Sequence, residues 1–303
     1  MSARSAAPSL RPVAAVTTGS GDRDVARAEA RARRRLLVLG LRVALAVFIV
    51  GSWELLTTLN CYGPDTATCI VDPFFFGKPS GIYQQLVTWV NNGTAQGPLW
   101  EQIAVTLEET ILGFAIGVVL GILFGVVLGV NRLLSDVAGP YIKALNAMPR
   151  VVLGSIFIIA LGFEIWSKVA LAVVLVFFVV FFNAFQGVRE VDRDLLANAR
   201  ILGADQGQIS RHVILPSALT WIIASLHTSF GFALVGAIVG EYLGARRGIG
   251  LMISTAQGTF NANGVYAAML ILAILAIVAE WLVTKLEDRL IRWRPNAITE
   301  IGI

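Results

Sequence analysis

The chain has 303 residues, 56% of them hydrophobic and 15% charged, with a formal net charge of +4 at pH 7. A soluble domain typically carries about 25% charged residues, and the mean hydropathy here is +0.73. The composition excludes an ordinary soluble enzyme or a nucleic-acid-binding domain and leaves a membrane protein.

Residues 1–30 are rich in Ala, Ser, Arg and Pro and lack apolar periodicity, which predicts a disordered tail. "RARRR" at 31–35 then meets a long apolar run. This is the order of a secretory signal, but no Ala-x-Ala cleavage site follows and the run is too long for a signal core. A retained first span over 36–56 is expected. "TLNC", ending at Cys61, is a poor lipoprotein box because Asn60 stands where a small residue is wanted.

A transmembrane helix needs about 20 mostly apolar residues. Only helices and closed barrels satisfy the backbone in lipid, and continuous rather than alternating apolar runs select helices. Five more spans are predicted at 106–130, 139–163, 168–187, 219–243 and 265–284. The second carries Gly113, Gly117, Gly121, Gly125 and Gly129 at four-residue spacing, which permits close helix packing. The third holds Lys143, Asn146, Pro149 and Arg150 in its first half. Either it faces other helices or a water-filled cavity, or it begins near Val151 with those residues at the interface.

Lys and Arg near the span ends set the orientation. Arg27, Arg31, Arg33, Arg34 and Arg35 precede the first span; Arg189, Arg193, Arg200 and Arg211 follow the fourth; Lys285, Arg289, Arg292 and Arg294 follow the sixth. Both termini are therefore expected inside. Arg246 and Arg247, on the outer side, dissent. The outer segment 57–105 contains Cys61 and Cys69, the only cysteines. An oxidising exterior permits a disulfide between them, and two cysteines alone are too few for a metal site. "DPFFFGKPSG" reads as an interfacial turn with aromatic anchors at Phe74, Phe75 and Phe76.

The stretch 189–218 is the polar exception. Val191, Leu195, Ala199 and Leu202 recur at helical spacing, Gly203 suits a helix C-terminus, and Asp205 with Gln208 suits the cap of a second helix. Pro216 predicts a fresh start for the fifth span. This segment resembles the coupling loop of binding-protein-dependent ABC importer permeases. Their pattern is Glu-Ala-Ala, three residues, Gly, nine residues, Ile-x-Leu-Pro. Here it reads Ala197-Asn198-Ala199, Gly203, Val213-Ile214-Leu215-Pro216. The spacing matches, with Ala197, Asn198 and Val213 departing from the pattern. "ALNAMPRVVLGSIFIIALG", "GVREVDRDLLANARILGA" and "VGAIVGEYLGARRGIGLMI" resemble the subgroup that imports nitrate, taurine and other sulfonates.

The resemblance implies an all-α membrane protein with six transmembrane helices, the type I ABC importer permease fold and cytoplasmic coupling helices. The resemblance extends over roughly residues 100–290 and does not cover the N-terminal tail or the Cys61–Cys69 loop; with the readings above, the chain divides into a tail (1–30), a first span with its extracytoplasmic segment (31–105), a transmembrane domain (106–290) with the coupling loop at 189–218, and a C-terminal tail (291–303). Ala197, Asn198, Ala199, Arg200, Gly203, Ala204, Asp205, Leu215 and Pro216 are the residues the resemblance implicates in coupling. The implied partners are a second copy of the chain, two ABC ATPase subunits, an extracytoplasmic substrate-binding protein and the lipid bilayer of a bacterial inner membrane. No phosphate-loop motif occurs, since Lys78 in "GKPS" lacks the upstream Gly. ATP and Mg then belong to the partner ATPase, and this chain is expected to be a transport subunit with no cofactor, metal or catalytic residue of its own.

Polarity at membrane depth marks Asn146, Arg150, Asn183, Ser225, His227 and Thr228 as pore-lining candidates. A helix–helix hydrogen bond is the other reading of His227. Glu164 and Glu241 are expected at the interfaces, and Glu280 falls in the sixth span. The expected cargo is a small nitrate-, sulfonate- or taurine-like anion. A neutral or cationic vitamin precursor is the alternative, and an ion-coupled secondary transporter is a further one.

Overall fold

The computed structural model describes residues 20–59, 72–191 and 193–290. Cys61, Cys69 and the C-terminal tail lie outside these residues. The described elements are α1 (Ser20–Leu59), α2 (Pro73–Phe76), α3 (Pro79–Asn92), α4 (Leu99–Val130), α5 (Arg132–Ala147), α6 (Arg150–Leu161), α7 (Ile165–Arg189), α8 (Arg193–Ile201), α9 (Gln206–Ile209), α10 (Leu215–Leu243), α11 (Ile249–Gly258) and α12 (Ala262–Leu290). A short π-helical turn, Ser210–Ile214, joins α9 to α10.

The glycine stripe decides the central packing. A Cβ built at Gly117 would sit 2.7 Å from the Val176 Cβ; one at Gly121, 2.7 Å from Val180; one at Gly125, 2.7 Å from Ala184; one at Gly129, 2.8 Å from Val188. Both numbers rise together, so α4 and α7 run parallel in a fixed register, with the glycines admitting the backbone of α7. Two parallel spans need an odd number of crossings between them. The bent pair α5 and α6, whose axes differ by 91°, is therefore one broken span and not a re-entrant loop. With α1, α4, α7, α10 and α12, the described residues make six spans. α10 runs antiparallel to α7: Gly187 meets Ala218 and Trp221, Gly236 meets Ala172, and Gly240 meets Lys168.

This places 164–168, 241–263 and the start of α4 at one end of the bundle, and 129–132, 188–218 and the end of α12 at the other. They are called the outer and inner ends below. α3, α11 and α12 share an apolar cluster of Ile82, Trp89, Ile249, Met252, Ala267, Ala268 and Ile271 at the outer end. α1 touches the rest near its last turns. The Trp53 ring meets Tyr266 edge-on at 5.4 Å, and the Glu54 carboxylate accepts the Ser80 amide at 3.0 Å and the Ser80 hydroxyl at 2.8 Å.

Two expectations change. Helix α1 begins at Ser20, inside the stretch expected to be disordered, because "DRDVARAEARARRR" is dominated by strong helix formers. Of the two readings of the third span, the proline-interrupted one holds and the late start near Val151 does not: the span breaks at Met148–Pro149, where a proline cannot continue α5 and instead precedes α6. Pro216 starts no new helix. The helix is continuous from Gly207 to Leu243, and the π turn ends just before the proline, with the Leu215 amide donating to the Ser210 carbonyl. That register shift accommodates a residue that has no N–H to offer.

Candidate functional site

At the inner end, α8 and α9 form a helical elbow. Gly203 takes φ +82°, donates its amide to Arg200 O at 3.0 Å, and is followed by Ala204 N donating to Ala199 O at 3.1 Å. These paired bonds are a Schellman turn, which needs a left-handed residue where Gly carries no Cβ penalty. Asp205 then caps α9. Its Oδ1 accepts the Gln208 amide at 2.7 Å, while the Gln208 Oε1 accepts the Asp205 amide at 3.0 Å. The reciprocal pair satisfies two otherwise orphaned donors. The elbow is thus rigid on both sides of one glycine.

Its tip is apolar. Ile201 and Leu202 are 82% and 86% exposed, and Leu195 is exposed too. Ala197 and Asn198 are also exposed. Arg200 borders a cleft with Leu196, Ile209, Arg132 and Arg189. Leu215 and Pro216 stand beyond the π turn, within the fifth span and away from the elbow tip.

Of the six polar residues expected in a pore, the described contacts join Asn146 to Arg150 and leave the other four apart from them. Asn146 Oδ1 accepts from the Arg150 guanidinium at 3.3 Å across the helix break. Asn183 donates to its own helix at Val179 O, and Ser225 donates to Ile222 O. Thr228 is exposed. His227 Nε2 lies 3.0 Å from Glu280 Oε1, so the interhelical hydrogen bond joins α10 to α12.

The outer end holds a buried polar latch. The Gly248 amide donates to Gln102 Oε1 at 2.9 Å, the Ile249 amide to Thr106 Oγ1 at 3.0 Å, and the Gly250 amide to Glu241 Oε2 at 2.6 Å. Thr106 Oγ1 in turn donates to Glu241 Oε1 at 2.6 Å. Three successive amides at the start of α11 are therefore capped by side chains of α4 and α10, with a carboxylate favoured at the positive end of the helix. Gly250 is required there, since a Cβ would lie 2.5 Å from the Ile238 carbonyl. Glu241 is fully buried, which corrects the expected interfacial placement. Buried Lys168 donates to Phe163 O at 2.6 Å and Glu164 O at 3.0 Å. Arg246 pairs with Glu164 at 3.0 Å and Arg247 with Glu101 at 3.5 Å. The cations that dissented from the charge bias thus face carboxylates on the same side.

Residues 117–292 match the family of binding-protein-dependent transport system inner membrane components. The chain belongs to that family. It is 31% identical to the riboflavin transport system permease of Chloroflexus aurantiacus, over 85% of this chain and 91% of the relative. It is also 31% identical to a putative aliphatic sulfonates transport permease of Escherichia coli, over 84% and 93%. Its fold matches the solved methionine ABC transporter in an inward-facing conformation with a TM-score of 0.55 at 21% identity, covering 64% of this chain and 94% of that one. The permease is therefore a transmembrane subunit of an ABC importer, with the type I fold.

Sequence reasoning missed most of the permease's outer latch. Gln102 and Thr106 sit in or next to an apolar run, and nothing local says that they face the start of α11. The one available signal was "GIG" at 248–250, an odd start for a helix unless something presses against its backbone. Glu54, which caps α3, was missed for the same reason.

Proposed function

We propose that the permease imports a small organic anion of the sulfonate class, working as two copies with two ATPase subunits docked on the α8–α9 elbows. An extracytoplasmic binding protein delivers the solute to the outer end, and the inner end faces the cytoplasm. The observation that carries this reading is the exposed Ile201–Leu202 tip on a turn fixed by Gly203. Large aliphatic side chains held out on a rigid elbow suit insertion into a groove of a partner. ATP and Mg are bound by that partner. The loaded binding protein and ATP act through their differing affinity for the outward- and inward-open states of the pore. Family membership favours this scheme over ion-coupled transport.

Arg150 supports the choice of an anion. It lies at the break of the third span, and it makes no ion pair among the described residues; Asn146 is its hydrogen-bond partner. α6 spans 12 residues, about 18 Å at 1.5 Å per residue, which puts the break near the middle of the bilayer. A cation at that depth without a carboxylate suits a passing anion. The riboflavin permease among the relatives supports a vitamin-type solute as the second reading.

The test is reconstitution of the tagged permease with its co-purifying ATPase and the binding protein in nanodiscs. ATP hydrolysis stimulated by an alkanesulfonate, and not by riboflavin, is the expected result. Leu202→Asp should remove the ATPase from the complex while leaving the permease folded. Recovery of the ATPase with Leu202→Asp at the wild-type level would sink the docking assignment. Stimulation by riboflavin alone would sink the anion assignment.

A further inference from the structure

We propose that the cleft between the inner halves of α5 and α7 binds the headgroup phosphate of an anionic phospholipid, with Arg189 as its main contact. The cleft measures about 590 Å³ and is lined by Leu128, Ser135, Asp136, Lys143, Phe181, Phe185 and Arg189 among others. Its two ends differ in chemistry. Toward the bilayer centre the wall is Phe181 and Phe182 of α7. At the inner mouth stand Leu128 and Arg189, level with one another through the Gly129–Val188 contact, and Lys143 lines the cleft from α5. Phe181 and Arg189 are two turns apart, about 12 Å along the helix, which matches the step from upper acyl chain to phosphate.

The guanidinium is already positioned. Its Nη2 donates to Ser135 Oγ at 2.9 Å, and its central carbon lies 4.3 Å from the centre of the Phe185 ring. Both contacts fix the plane and leave other N–H donors of the fork free, and that fork matches phosphate oxygens in pairs. Neither Arg189 nor Lys143 makes an ion pair among the described residues. Asp136 is the one carboxylate lining the cleft and does not pair with either. Arg132 lies in the adjoining cleft, which also contains Arg189 and Asp136. The local balance is therefore cationic, at the depth where a polybasic surface attracts anionic lipid. A free phosphate would satisfy Arg189 and leave the aromatic wall uncovered, whereas a phospholipid covers both. Only the assignment to the cytoplasmic leaflet rests on the proposed orientation.

Native mass spectrometry of the permease–ATPase complex released from nanodiscs containing phosphatidylglycerol and phosphatidylcholine tests this. Wild type should retain phosphatidylglycerol and shed phosphatidylcholine. Each of Arg189→Gln and Lys143→Gln should lower retention about fivefold, and the pair about twenty-fivefold. Arg42→Gln, on α1, should change nothing. Lys143 is exposed and makes no hydrogen bond or ion pair among the described residues, so Lys143→Gln remains informative if an Arg189 variant fails to fold. Equal retention by the double variant, or equal retention of both lipids, would overturn the proposal. Displacement by millimolar inorganic phosphate would overturn it in favour of a free-phosphate site. ATPase recovery is read in the same spectra, so failure of the coupling reading is seen separately.

Discussion

Thr106 donates its hydroxyl to Glu241 across 2.6 Å while accepting the Ile249 amide at 3.0 Å, so one side chain of α4 ties the end of α10 to the start of α11. Thr106→Val keeps the shape and removes both bonds. It leaves a buried carboxylate oxygen and a buried amide short of partners, a loss of about 2–4 kcal/mol. Thermal unfolding in detergent should show it, and hydrogen exchange should rise first at 248–252. Unaltered exchange there would mean that α11 is held by its apolar face alone.

The α4–α7 register makes a second prediction. Gly117→Val and Gly121→Val place new atoms against Val176 and Val180, where even a Cβ lies 2.7 Å away. Each should destabilise by about 1–3 kcal/mol. Adding Val176→Ala to Gly117→Val should recover part of that loss, because the two positions share one contact. Gly40→Ala, on α1 with nothing within 4 Å, should be neutral or stabilising by up to about 1 kcal/mol. A melting-temperature series on the purified permease checks all four.

The elbow should separate stability from coupling. Gly203→Val forces a β-branched residue to φ +82°, at a cost of about 1–2 kcal/mol. Asp205→Ala removes the cap of α9 and costs about 0.5–2 kcal/mol. Both act on a segment with few contacts to the bundle, so the global transition should hold within a degree or two while solute-stimulated ATP hydrolysis falls. Parallel loss of both would point to a general folding defect instead.

The attachment of α1 can be tested at Glu54. Its carboxylate holds the Ser80 amide and hydroxyl at the first turn of α3. In Glu54→Ala, amide exchange at 80–82 should accelerate, and α4 and α7 should keep their protection. Peptide-resolved hydrogen exchange reads both regions at once. Protection at 80–82 equal to wild type would assign the hold on α1 to the Trp53–Tyr266 contact.

Much of the inner end could be read along the chain because its signals are local. A Schellman glycine and a capping pair three residues apart depend on neighbours within one turn, so Gly203, Asp205 and Gln208 announce themselves; the exposure of Leu195 and Leu202, whose helical spacing reads as an apolar face, does not. The broken span was half legible: Pro149 marked the break, but whether the chain crossed the bilayer was decided by the parallel register of α4 and α7. His227 illustrates the same limit. Its polarity flagged it, while its partner Glu280 lies on another span.

The sequence by itself determined that this is a six-span helical permease, since apolar run length, glycine spacing and the coupling pattern are properties of short stretches. It also determined the family, through the exact spacing around Gly203. Tertiary structure alone decided where the buried polar groups go. Gln102 and Thr106 of α4 lie more than a hundred residues from Glu241 of α10, and their meeting at the amides of Gly248, Ile249 and Gly250 follows from helix packing. No pattern along the chain encodes which side chain will satisfy a distant backbone donor.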